Sequence, residues 1–106
     1  TSHWQAADAR YEAYIFDSTD DTHNWYTMEK VDDTTYKCSV PNEVINKVSG
    51  NEKNIIFVRC NPELAEHDWA SKWNQTVNQK IPTNGDTKFT ITSGSGDNYD
   101  GSWSTP

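Results

Sequence analysis

Carboxylates are the first chemistry this chain offers, with sixteen Asp and Glu against nine Lys and Arg in 106 residues. Glycoside hydrolysis uses two such groups held about 5–10 Å apart across a sugar. The acids here gather instead in turn-type clusters: Asp17-Ser18-Thr19-Asp20-Asp21-Thr22, Asp32-Asp33 and Asn84-Gly85-Asp86. Asp is favoured in such places because its side chain bonds the nearby backbone. Residues 17–21 and 97–101 faintly resemble calcium loops, but neither has the ligand spacing of an EF-hand or its closing Glu. His3, His23 and His67 are dispersed and lack zinc-site spacing. A Gly-rich phosphate loop and a Gly-x-Ser-x-Gly elbow are both missing from the sequence. The expectation is therefore no catalytic residue, no metal and no cofactor.

A surplus of aromatics remains. Five Trp (Trp4, Trp25, Trp69, Trp73 and Trp103) and five Tyr are more than a small core needs, and most of the Trp stand among polar residues. Exposed Trp and Tyr are the usual anchors of binding surfaces. A flat ring can lie against the apolar C–H face of a pyranose while polar neighbours take its hydroxyls. Few rotatable bonds are frozen when it does so. Each ring would contribute roughly 1–2 kcal/mol before ordering costs. Two or three rings with hydrogen bonds would give a Kd between about 1 µM and 1 mM.

The elements that must hold these rings read as short strands between turns. Residues 11–16 alternate, with Tyr11, Ala13 and Ile15 on one side and Glu12, Tyr14 and Phe16 on the other, the latter expected to face solvent. Residues 25–31 follow, with Trp25 and Thr27 opposite Tyr26 and Met28. Tyr36, Cys38 and Val40 form a third alternation, and Phe89 and Ile91 another. Residues 55–60 (Ile-Ile-Phe-Val-Arg-Cys) are apolar on nearly both faces, as in a central strand. Five or more such strands predict an all-β antiparallel sandwich, immunoglobulin-like or a distorted barrel. One short helical turn is expected after Pro41, capped by Asn42. A structured loop is expected over 63–73, and a Ser/Gly-rich loop over 93–102. Cys38 and Cys60 read as buried free thiols, with a disulfide as the alternative.

A chain of this length makes one domain, residues 1–106. Its aromatic fraction of 12% argues for a folded core despite a mean hydropathy of -0.95. A net charge of -7 repels phosphate backbones and anionic bilayers, so neither nucleic acid nor membrane is expected as a partner. No run approaches the roughly 20 apolar residues of a membrane span. The first residues lack a signal-peptide pattern, and both ends read as cuts in a larger multidomain protein.

Several segments, taken in order, resemble carbohydrate-binding module family 26, a starch-binding family. They are Trp4-x5-Arg-Tyr-Glu-Ala-Tyr-Ile-Phe-Asp and Trp25-Tyr-Thr-Met, then Ile56-Phe-Val-Arg-Cys-Asn-Pro, Trp69-x3-Trp-Asn-Gln-Thr and Gly101-Ser-Trp-Ser. The resemblance spans nearly the whole chain. It implies a non-catalytic β-sandwich that binds starch and maltooligosaccharides for a parent amylase or a bacterial cell-surface protein. The expected setting is extracellular, as a monomer tethered in cis to other domains. The family's site resembles two Tyr on a Tyr-x-Tyr strand plus a Trp one strand later. Carried over, the second Tyr falls on Tyr14 and the Trp on Trp25, while Glu12 stands where the first Tyr would be. Gln75 is a candidate for sugar hydroxyls, and Trp4 for a place beside the first strand. The alternative reading is a protein-interaction or adhesin module of a secreted scaffold.

Overall fold

The computed structural model describes residues 9–32 and 34–105. Among these residues eight strands follow in order: β1 (Arg10–Phe16), β2 (His23–Thr27), β3 (Glu29–Asp32), β4 (Thr35–Lys37), β5 (Ile55–Cys60), β6 (Lys72–Gln75), β7 (Lys88–Ser93) and β8 (Asp100–Ser104). A seven-residue helix α1 (Asn42–Val48) lies between β4 and β5, and a 3-10 turn (Trp69–Ser71) leads into β6. The fold is all-β, as the alternations predict. It is built on one four-stranded antiparallel sheet of order β2-β1-β5-β6. The other strands form two separate antiparallel ribbons, β3-β4 and β7-β8, instead of one continuous second sheet.

Period-two geometry sorts the sheet into rows, since directly paired residues share a face. On one face Tyr26, Ala13 and Phe57 align, beside Asn24, Ile15 and Ile55. This face carries the main core of Ala13, Ile15, Val48 and Ile55, joined by Val44 of α1, Cys38, Val40, Ile81 and Trp103 of β8. Tyr11 packs nearby against Tyr36 of β4 and Ile91 of β7. Both ribbons thus cover the same side of the sheet.

The opposite face departs from the expectation that Glu12, Tyr14 and Phe16 look into solvent. It has an apolar cluster of its own, Ile56, Val58 and Cys60, with Tyr14, Phe16 and Trp25 packed on it. Glu12 is fully buried and Tyr14 and Phe16 are half-buried. The reason is the 61–71 loop, which returns over β1. The apolar two-faced β5 is indeed an interior strand.

Three further expectations change. Asn42 is the first residue of α1 and not its cap. The cap position is Pro41, and no side chain caps there. Its carbonyl accepts instead from the N–H groups of Val44 and Ile45. Residues 25–31 are two strands broken at Met28, whose N–H turns back to the Tyr11 carbonyl at 2.8 Å. The Ser/Gly-rich stretch ends in a true strand, β8. Both cysteines are free thiols, Cys60 buried on β5 and Cys38 half-buried just after β4.

Candidate functional site

Two rows of the second face build the site. Trp25, Tyr14 and Ile56 form one; Thr27, Glu12, Val58 and Gln75 form the next across all four strands. The direct pairing of Tyr14 with Trp25 brings their rings to 4.7 Å between centroids, inclined by 65°. Trp69, delivered from the loop, completes a triangle at 4.8 Å from each of them, with angles of 61° and 62°. These are edge-to-face contacts, the arrangement that ring quadrupoles favour. The three ring planes are thus mutually inclined and not coplanar. Trp69 is 38% exposed, Tyr14 and Trp25 less so. The exposed imidazoles of His23 and His67 border the triangle: His23 stacks on Tyr14 at 5.3 Å, and His67 lies parallel to Trp25 at 6.2 Å and 9°.

Glu12 stands beneath this surface, not on it. Its carboxylate accepts from Arg10 Nε at 3.0 Å and from the His67 backbone N–H at 3.0 Å. Arg10 continues upward, donating to the carbonyls of Leu64 and Ala65 at 2.9 Å each. The loop is also closed on itself. Ser71 Oγ donates to the Ala65 carbonyl at 2.6 Å, and Asp68 caps the 3-10 turn by accepting from the Ala70 N–H. A buried charge is tolerated only when paired and fully hydrogen-bonded, and here the pairing fixes the loop that carries Trp69 and His67. Under the same cover Cys60 is pushed up to about 12 by burial and then by its hydrogen bond to Glu12.

Gln75 shares a row with Glu12 but its amide is engaged within the fold. Its Oε1 accepts from Lys72 Nζ at 2.8 Å and its Nε2 donates to the Thr76 carbonyl at 3.2 Å. Lys72 also pairs with Asp97 at 2.9 Å and lies 5.7 Å from the Trp69 ring centre, so this polar group buttresses the Trp69 side of the triangle. Trp4 lies outside the described residues. Trp73, 40% exposed on β6, is separate from the triangle and holds the Arg59 guanidinium 4.8 Å from its ring centre. Trp103 packs against Phe57 and Phe89, on the ribbon side.

The sequence thus places Tyr14 and Trp25 together, whereas Trp69, His23 and His67 join them only in three dimensions. One local signal pointed to the loop: Arg10 and Glu12 stand at alternate positions of an otherwise apolar strand, and such a pair needs a cover. Among the described residues no group of three or more His, Cys, Asp or Glu is placed to hold a metal ion. None of the family models, curated proteins or solved structures compared with this chain matches it.

Proposed function

We propose that this domain binds neutral α-1,4-glucan chains of the starch type, without acting on them, through Tyr14, Trp25 and Trp69. The observation that carries the reading is the triangle of rings at 4.7–4.8 Å on one face of the sheet, inclined to one another by 61–65°. Rings inclined in this way suit the bent path of an α-glucan better than the flat ribbon of a β-1,4-glucan. Imidazoles, Thr27 and Glu66 at its border offer donors and acceptors to hydroxyls. The resemblance to carbohydrate-binding module family 26 converges on Tyr14 and Trp25. Trp69 supplies a third ring where Glu12 leaves the family's first Tyr position without one. An acidic chain is also better suited to an uncharged polysaccharide than to a polyanion.

Retardation of the pure domain in a native gel containing amylopectin tests this. The wild type should be slowed, while Trp25→Ala and Trp69→Ala, shown to be folded by circular dichroism, should migrate freely. Unchanged migration of the wild type at any amylopectin concentration refutes the reading. Release of reducing ends by the domain refutes its non-catalytic part.

A further inference from the structure

A groove of about 510 Å³ is lined by Trp25 of the triangle together with Tyr26 and Thr27 of the edge strand β2. Trp25 and Thr27 of β2, Glu29 of β3, Lys37 of β4, Ser39 and the loop residues Glu66 and His67 are among its lining residues. Its size is that of pockets which hold small organic ligands, about 300–1,000 Å³. Resting on the glucan reading above, we infer that this groove is a second set of subsites, taking the sugar units that follow the one stacked on Trp25 along the same chain.

Three observations carry this. The first is continuity: Trp25 belongs both to the triangle and to the groove, so one chain can contact both. The second is chemistry. Glu29, Lys37 and Ser39 line the groove with exposed side chains, and Glu29 and Lys37 stand directly opposite each other across the β3–β4 ribbon. Carboxylate, ammonium and hydroxyl together can accept from and donate to vicinal diols. With Glu29 and Glu66 against Lys37, the acids outnumber the base, which disfavours an anionic glycan. The third is the backbone at His67, which takes φ 58, a left-handed conformation uncommon for a residue with a side chain. Its N–H is tied to Glu12, its ring lies parallel to Trp25, and Thr27 Oγ1 donates to Glu66 Oε2 at 2.6 Å and lies 3.3 Å from His67 Nε2. Strain of this kind persists where surrounding contacts impose it, and it gathers at ligand-binding places. Here it sets one wall of the groove.

The consequence is a dependence of affinity on chain length. A trisaccharide would be satisfied on the rings; a heptasaccharide would reach the groove. Glu29→Ala/Lys37→Ala removes two exposed side chains and should leave the fold intact, as circular dichroism would check. Calorimetric titration should show maltoheptaose affinity falling about tenfold, which is roughly 1.4 kcal/mol, with maltotriose affinity unchanged. Amide shifts of Lys37 and Ser39 should move with maltoheptaose and stay still with maltotriose. Equal maltoheptaose affinity in wild type and double variant overturns the inference, and so does equal loss for both sugars. In either case retained wild-type binding with loss in Trp25→Ala leaves the glucan reading standing. No wild-type binding to either sugar sinks both, and shifts on the groove with an extended peptide alone would make it a protein-docking edge.

Discussion

Tyr14 and Trp25 face each other across β1 and β2 yet differ in what they support. Tyr14 lies on an interior strand and touches Phe16, His23, Trp25 and Trp69, with Ile56, Val58 and Cys60 beneath. Trp25 lies on the edge strand β2. The alternation alone puts Tyr14 on a solvent face; its packing on Ile56, Val58 and Cys60 corrects this. Tyr14→Ala should lower unfolding stability by about 2–3 kcal/mol, as loss of a packed aromatic does. Trp25→Ala should cost less stability but about 2 kcal/mol or more of glucan binding. Urea unfolding and titration of both variants check the order, and a larger stability loss for Trp25→Ala would contradict it. At the same scale, the two thiols should be inert in the native protein. Burial raises both, Cys60 up to about 12. An unfolded thiol ionises near 9 and the folded Cys60 keeps its proton, so stability should fall as pH rises from 9 toward 12. Iodoacetamide at pH 8 should label neither cysteine quickly until denaturant is added.

Elements divide into those whose sequence carries its own pattern and those made by contact. β1, β5 and β7 were legible because apolar and polar residues alternate or because both faces are apolar. β6 and β8, Lys-Trp-Asn-Gln and Asp-Gly-Ser-Trp-Ser, carry no such pattern and exist because β5 and β7 present paired edges. Gly101 reads as a loop residue, but in the ribbon it opposes Ile91, and a Cβ there would stand 1.8 Å from the Thr90 carbonyl oxygen. Glycine marks a close backbone approach here, a meaning composition cannot separate from a turn. The 61–71 loop is the other contact-made element, and it determines whether the third ring is present. Glu12→Ala would leave Arg10 without its buried partner and free the His67 N–H. It should cost about 3 kcal/mol and release the loop. Hydrogen exchange should then accelerate over 61–71 ahead of β5, and glucan affinity should drop even in molecules that remain folded. Unchanged exchange of the loop would mean that Ser71 and Asp68 suffice to hold it.

For the whole molecule, the all-β class was written in the strand alternations and turn clusters, while the division of the covering layer into two ribbons was not. Nothing local decides whether two hairpins merge. The acidic turns, read from sequence as local backbone-bonding positions, include one group that ties distant parts together. Asp17, 6% exposed at the end of β1, accepts from Thr19 Oγ1 at 2.6 Å, Thr19 N at 2.9 Å, Lys47 Nζ at 2.9 Å and Asn51 Nδ2 at 3.3 Å. Lys47 also reaches Asp20 at 2.6 Å, so the β1–β2 turn, α1 and the segment after it meet at one ionic group. Thr19 and then Lys47 hold the Asp17 carboxyl far below its ordinary 3.8, and Lys47 and Thr22 lower Asp20. The sign follows from linkage: a carboxyl depressed in the folded state contributes stability that is complete above the unfolded value and lost as pH falls below it. The domain should therefore hold its stability from neutral pH to about pH 5, then weaken through pH 4 and below as the unfolded chain takes up the protons that folded Asp17 and Asp20 refuse. Asp17→Asn cannot bind that proton in either state. Its urea midpoint should lie below the wild type at pH 7, and the gap should narrow on the way to pH 3. A gap that stays constant over that range would mean that the hydrogen bonds of Asp17, and not its charge, join α1 to the sheet.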